Sequence, residues 1–87
     1  MHTPAILITD DDEFIVQVLS QWFEGRGFAV DVARDGLEAV EKCRERLFDI
    51  VTMDIEMPRL GGVEAIRLIK EFSPTTPVIA LTGYASS

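Results

Sequence analysis

Acidic side chains follow two short apolar segments of this sequence. The apolar segment 5–9 runs directly into the acidic run 10–13, and the apolar segment 50–53 runs into Asp54. Carboxylates that lie close together repel one another and raise one another's pKa, and a divalent cation removes that repulsion. Oxygen-only ligands of this kind suit Mg²⁺ bound together with a phosphate oxygen. The pattern therefore points to a metal–phosphate site, with a solvated helix N-terminus as the ordinary alternative.

The elements that must position these acids alternate along the chain. Apolar runs predict strands and helical spacing predicts helices, with strands at 5–9, 28–33, 50–53 and 78–81 and helices at 14–24, 36–46 and 63–72. This alternation indicates an α/β fold with a parallel sheet covered by helices on both faces. Ligands of such a sheet bind beyond the carboxyl ends of its strands. Asp10, Asp11 and Asp54 converge there if the first and third strands are neighbours.

Composition excludes several function classes. The 87 residues include 15 acidic and 8 basic side chains, for a net charge of -7. This balance argues against direct nucleic-acid binding and against a polybasic membrane patch, since both need clustered basic residues. No apolar run approaches the roughly 20 residues of a membrane-spanning helix. The single cysteine, Cys43, cannot form an internal disulfide, so we expect a reducing, cytoplasmic location.

Three segments together resemble the receiver domain of response regulators in two-component signalling. Residues 6–13 are similar to the opening of that domain, residues 53–58 with the pair 61–62 to its phosphoacceptor segment, and residues 77–85 to its switch-threonine segment. The three motifs follow the family's order and span the chain. The resemblance implies a flavodoxin-like, receiver-type parallel sheet with helices on both faces.

The resemblance also implies roles for individual residues. Asp10 and Asp11 would be the acidic pair that holds Mg²⁺. Asp54 would be both a metal ligand and the nucleophile that takes a phosphoryl group from a sensor histidine kinase or a phosphotransfer protein. The backbone carbonyl of Glu56 would be a further metal ligand. The hydroxyl of Thr82 would sense the phosphoryl group by a hydrogen bond.

Pro58 and Gly62 would shape the loop beside this site. Proline fixes one backbone dihedral, and glycine permits a close backbone approach. The core is expected to include Trp22, Phe23 and Cys43, whereas His2 is interpreted as a terminal residue without a role.

The family pattern continues beyond the motifs found here. We expect residues 1–87 to be the N-terminal portion of a single receiver domain, truncated before the fifth strand, with four strands present and the last strand and helices missing. The family's fifth-strand lysine is then absent, and Lys42 and Lys70 lie in predicted helices, so neither is a good substitute. This absence predicts impaired phosphotransfer. Apart from its own phosphotransfer and dephosphorylation, no enzymatic activity is expected.

The fourth predicted strand would form an unprotected edge of the sheet. Exposed apolar edges recruit partners. The sequence therefore predicts self-association, as a homodimer or by exchange of strands.

Two alternatives stay open from the residues alone. The segments around residues 10–12 and 79–83 also resemble motifs of haloacid-dehalogenase-type phosphohydrolases, which would use Asp10 as nucleophile and Asp12 as acid and base. That hypothesis leaves Asp54 without a role. The other alternative is a receiver-like interaction module that works without phosphorylation.

Overall fold

Strands and helices alternate along the whole described chain. The computed structural model describes residues 2–57 and 60–81. Its elements are β1 (Ala5–Thr9), α1 (Glu13–Glu24), β2 (Ala29–Ala33), α2 (Gly36–Glu45), β3 (Ile50–Asp54), α3 (Gly62–Phe72) and β4 (Val78–Leu81). Every predicted element is present, with bounds shifted by at most one residue. The predictions for Pro58 and Thr82 lie outside the described residues.

The four strands form one parallel sheet in the order β2-β1-β3-β4. The first and third strands are therefore neighbours, as convergence of the acidic residues requires. Helix α1 packs on β1 and β2 on one face, and α2 and α3 cover the other face. The predicted α/β architecture with helices on both faces is confirmed. Among the described residues, no helix has the length and apolarity needed to cross a membrane.

Alternation along β1 divides the core into two layers. Leu7 points into the layer beneath α2 and α3, whereas Ile6 and Ile8 point toward Val16 of α1. Successive side chains of a strand face opposite sides of the sheet, so a strand covered on both faces is apolar throughout. Full burial of such a side chain stabilises the fold by roughly 1.5–3 kcal/mol.

The prediction that Trp22 is a core residue was wrong. Its side chain is 50% exposed and packs edge-on against Phe23, with the Arg26 guanidinium above the indole ring. At 100° per residue, Trp22 lies well off the line from Val16 to Phe23 that faces the sheet. The apolar residues of α1 therefore form a buried line and an exposed line. The predictions for Phe23, which is partly buried, and for Cys43, which is buried, are confirmed.

Candidate functional site

The acidic residues singled out by the sequence meet at the carboxyl ends of β1 and β3. Asp10 follows β1 directly, and Asp54 is the last residue of β3. One carboxylate oxygen from each of Asp10, Asp11 and Asp54 lies within 4.8 Å of the others. The connections leaving the two strands run over opposite faces of the sheet, which makes this junction the topological switch point of the fold.

Burial and like charge set the electrostatics of this acidic cluster. Asp10 is only 6% exposed, Asp54 is half-buried and Asp11 is exposed. Burial raises the pKa of the Asp10 carboxyl above its ordinary value, and the charges of Asp54 and Asp11 raise it further. The bond from the Asp12 N–H acts in the opposite direction. A divalent cation bound by these three oxygen ligands would offset the repulsion between the carboxylates.

Backbone amides orient two of these carboxylates. The N–H of Asp12 donates to Oδ1 of Asp10 at 2.9 Å, and the N–H of Glu56 donates to Oδ1 of Asp54 at 3.1 Å. Each amide lies two residues after the acid that it contacts, which is the local bond that aspartate favours at turns. The two strand ends therefore hold their acids in the same way.

Asp12 has a different role from Asp10 and Asp11. Its side chain accepts from the N–H groups of Phe14 and Ile15, and it is the N-cap of α1. This is the helix N-terminal position that the sequence offers as the ordinary alternative for the acidic run 10–13. The acidic run is thus divided between the cluster and helix capping.

Gly62 lets the start of α3 approach the end of β3. A Cβ at this position would lie 2.3 Å from the carbonyl oxygen of Asp54 and 2.7 Å from Cα of Ile55. The Gly62 N–H donates to the Ile55 carbonyl at 3.1 Å. Neighbouring Gly61 has open space at the same position. The predicted role of Gly62 in shaping this loop is confirmed by the contact.

Gly36 supports the same loop and was missed as a contact residue. A Cβ there would lie 2.3 Å from the carbonyl oxygen of Leu60, and the Gly36 N–H donates to that oxygen at 3.2 Å. The pair Asp35-Gly36 signals a turn, and Asp35 does cap α2. The second role depends on α2 lying beside the loop before α3, which no local pattern encodes.

The chain's two lysines form contacts away from the acidic cluster. Nζ of Lys42 donates to Oδ1 of Asp31 at 2.8 Å and to the Val32 carbonyl at 2.7 Å. Nζ of Lys70 contacts the carbonyls of Pro74 and Thr76. The prediction that neither lysine is a substitute at the acidic cluster agrees with these positions.

The opposite end of the sheet contains a cleft of about 360 Å³ lined by His2, Leu47, Phe48, Asp49, Thr75, Thr76 and Pro77. Nε2 of His2 lies 3.0 Å from both carboxylate oxygens of Asp49. The interpretation of His2 as a residue without a role was therefore wrong: it ties the segment before β1 to the start of β3. No local pattern in the sequence indicates this contact between distant residues.

A family comparison decides what this arrangement is. The family model described as "Response regulator receiver domain" matches residues 6–87. The chain belongs to this family. Receiver domains are the phosphoacceptor modules of two-component signalling, and that function class applies to this chain. The haloacid-dehalogenase alternative is not favoured.

Relatives of this receiver domain are found within longer proteins. It is 42% identical over 81 residues to the transcriptional regulatory protein ZraR of Klebsiella oxytoca, covering 93% of this chain and 18% of ZraR. It is also 43% identical over 76 residues to a protein-glutamate methylesterase/protein-glutamine glutaminase of Thermotoga maritima, covering 85% of this chain and 22% of that protein. The chain thus spans about a fifth of these relatives. That residues 1–87 are the N-terminal portion of one receiver domain stays a prediction.

Solved receiver structures agree with the fold. A CheX-CheY complex with BeF3 and Mg²⁺ from Borrelia burgdorferi matches with a TM-score of 0.87 and 40% identity, over 91% of this chain and 61% of that one. The response regulator TrrA of Thermotoga maritima, in complex with Mg²⁺-BeF, matches with a TM-score of 0.89 and 32% identity, over 95% of this chain and 72% of that one. Mg²⁺ therefore occurs in similar receiver domains.

Proposed function

We propose that this receiver domain accepts a phosphoryl group on Asp54. The observation that carries the proposal is the convergence of Asp10, Asp11 and Asp54 at the switch point between β1 and β3. Asp54 is the member that ends β3, and it is more exposed than Asp10, so a donor can reach it from solvent. Its Oδ1 is oriented by the Glu56 amide.

The same residues fit a magnesium ion. The carboxylates of Asp10, Asp11 and Asp54, with the backbone carbonyl of Glu56, would supply the oxygen-only ligands that a hard cation prefers. Mg²⁺ bound there would offset the negative charge that develops on the transferred phosphoryl oxygens. The raised pKa of Asp10 supports this assignment, because a cation would relieve the crowded charge.

The transfer itself would take place between the chain's own nucleophile and a phosphorylated imidazole. A carboxylate oxygen of Asp54 would attack phosphorus, forming the acyl-phosphate bond. The bond from phosphorus to the donor's imidazole nitrogen would break, with the electron pair staying on that nitrogen. The donor would be a sensor histidine kinase or a phosphotransfer protein, in a cytoplasmic setting. The hydroxyl of Thr82 would hydrogen-bond a phosphoryl oxygen afterwards, and the chain would catalyse nothing beyond its own phosphorylation and dephosphorylation.

Native mass spectrometry with Mg²⁺ and a small phosphodonor tests the proposal. We expect one phosphoryl adduct on the unmodified chain and none on Asp54→Asn. Asp49→Asn is the matched control, because Asp49 lies just before the opposite end of the same strand. It should keep the adduct. An adduct that survives in Asp54→Asn would contradict the assignment of the nucleophile.

The same experiment separates the alternatives. A phosphohydrolase built on Asp10 would keep its activity in Asp54→Asn and lose it in Asp10→Asn. A phosphate-independent interaction module would give no adduct although its melting transition stays cooperative. Impaired phosphotransfer would appear as slow formation of the adduct rather than its absence.

A further inference from the structure

The start of α2 meets the loop before α3 through a contact between backbone atoms. The Gly36 N–H is one of the amides that a helix N-terminus leaves without an intrahelical acceptor. It donates to the Leu60 carbonyl at 3.2 Å. A Cβ at residue 36 would lie 2.3 Å from that oxygen and 3.0 Å from the carbonyl carbon. The contact therefore requires glycine, because a methyl group in this close-packed position would displace one of the two backbones.

The same loop is also attached to the end of β3. The Gly62 N–H donates to the Ile55 carbonyl at 3.1 Å. The next amide along the chain, that of Glu56, donates to Oδ1 of Asp54 at 3.1 Å. The Met57 side chain packs against the core layer beneath α2 and α3. Asp54 is therefore oriented by a segment whose path depends on contacts with both helices.

Asp10 is oriented by a shorter connection. The Asp12 N–H donates to Oδ1 of Asp10 at 2.9 Å, and the Asp12 side chain caps α1. This bond lies within the turn between β1 and α1, whereas the bond to Asp54 lies in a loop that contacts α2. A change at the start of α2 should therefore affect the orientation of Asp54 and leave that of Asp10 unaltered.

We propose that Gly36 is a positioning residue for the phosphoacceptor and that it acts through the Leu60 carbonyl. The close contact at residue 36 fixes the path of the loop that contains Glu56. The Glu56 amide orients Asp54, and the Glu56 carbonyl is the proposed fourth ligand of Mg²⁺, so both depend on that path. This inference rests on the proposed phosphoacceptor function and adds to it a residue outside the acidic cluster.

Amide NMR of Gly36→Ala in the absence of metal tests the first step. We expect the Glu56 amide signal to shift and its exchange with water to become faster, because its bond to Asp54 weakens. The Asp12 amide is the internal control, because it makes the same kind of bond at the end of β1 and should stay unchanged.

Two further chains separate positioning from a general loss of stability. Val40→Ala leaves a cavity at a buried residue of α2 and adds no atom beside the Leu60 carbonyl, so both amide signals should stay unchanged. A synthetic chain with an ester in place of the peptide bond between Asp35 and Gly36 removes the N–H donor without adding a methyl group. It should shift the Glu56 amide in the same direction as Gly36→Ala, by a smaller amount.

Titration with Mg²⁺, followed by the same amide signals below the melting temperature of every variant, tests the second step. We expect Gly36→Ala to raise the Mg²⁺ Kd about tenfold, the lower end of the loss seen when contacts that orient metal ligands are removed. Val40→Ala should bind Mg²⁺ with the Kd of the unmodified chain. The ester chain should have an intermediate Kd.

Two results would overturn the proposal. The first is an unchanged Glu56 amide and an unchanged Mg²⁺ Kd in Gly36→Ala. The second is full recovery of Mg²⁺ affinity when Ala65→Gly is added to Gly36→Ala while the ester has no effect. A Cβ at residue 36 would also lie 3.0 Å from Cβ of Ala65, so this recovery would assign the effect to packing between the helices.

Failure of the proposed function would give a different result. An unmodified chain that binds no Mg²⁺ and takes no phosphoryl group would contradict that function. The metal-free amide signals of Glu56 and Asp12 would still decide whether Gly36 positions Asp54.

Discussion

The acidic side chains at the two ends of the sheet have pKa values that are shifted in opposite directions. At the carboxyl end, Asp10 is nearly buried beside Asp54, and burial raises its pKa. At the amino end, Oδ2 of Asp49 accepts from the Ala5 N–H at 2.7 Å, and this bond, followed by the His2 side chain, lowers the Asp49 pKa. Negative charges lie close together at the carboxyl end, whereas contacts within the chain stabilise the negative charge at the amino end.

This contrast distinguishes the end proposed to bind Mg²⁺ from the end whose acid is stabilised within the chain. None of the ion pairs found among the described residues involves Asp10, Asp11 or Asp54. Functional sites often keep interactions that cost stability, because the missing partner is the ligand. The contrast therefore predicts that the two ends respond with opposite sign to charge removal, and that only one responds to Mg²⁺.

The largest expected effect is stabilisation by Mg²⁺. A ligand that binds only the folded state adds about 2.7 kcal/mol to the free energy of unfolding at a concentration of a hundred times its Kd. Urea denaturation with and without Mg²⁺ measures this gain. Asp10→Asn and Asp54→Asn should lose most of it, whereas Asp49→Asn should retain it. An equal gain in all three variants would show that the ion binds elsewhere.

The next effect comes from the glycine pair before α3. Gly62→Ala places a methyl group 2.3 Å from the Asp54 carbonyl oxygen, so the helix start must move. We expect a loss of roughly 1–3 kcal/mol in the free energy of unfolding, typical of overpacking. Gly61→Ala is the adjacent control and has open space. Chemical denaturation of both variants checks this, and equal stabilities would contradict the close approach.

A smaller effect should distinguish the two acids without Mg²⁺. At neutral pH, Asp10→Asn removes a charge that the folded state disfavours, so its melting temperature should rise. Asp49→Asn replaces the carboxylate that accepts from the Ala5 N–H and lies beside His2 with a neutral amide. The melting temperature of this variant should therefore fall. Calorimetry in the presence of a chelator measures both. Shifts of the same sign would remove the distinction between the two ends.

The smallest effect is the pH dependence of these differences. Folding raises the Asp10 pKa above 3.8, so ionisation of Asp10 lowers the free energy of unfolding at pH values above the folded-state pKa. The gain in stability from Asp10→Asn should therefore vanish as the pH falls below the unfolded-state pKa. Folding lowers the Asp49 pKa below 3.8, so its contribution is present above the unfolded value and is lost as pH falls through the folded one. Denaturation series at several pH values test both signs. A pH-independent difference would contradict the assigned cause.

The sequence predicted the acidic site because local signals and topology agree there. A short apolar segment that ends in an acid identifies both the strand and its carboxyl end, and parallel strands bring those ends together. This reasoning located Asp10, Asp11 and Asp54. The role of Thr82 could be predicted only through the motif that contains it.

Contacts between distant elements could not be predicted in the same way. The apolar spacing of α1 does not say whether Trp22 faces the sheet, since that depends on how the helix rotates over β1 and β2. The approach of Gly36 to Leu60 requires α2 to lie beside the loop before α3. The contact of Lys42 with Val32 likewise requires this helix to lie over the edge strand.

One hydrogen bond connects the acidic end of the sheet with β4. The Ile55 amide, next to Asp54, donates to the Leu81 carbonyl at the end of β4. The proposed phosphoacceptor and the end of β4 therefore belong to adjoining strands. If phosphorylation of Asp54 changes the affinity of a partner that contacts the end of β4 by some factor, thermodynamic reciprocity requires that partner to change the phosphorylation equilibrium by the same factor. The concentration of the partner would then act as an input to the signal, alongside the donor.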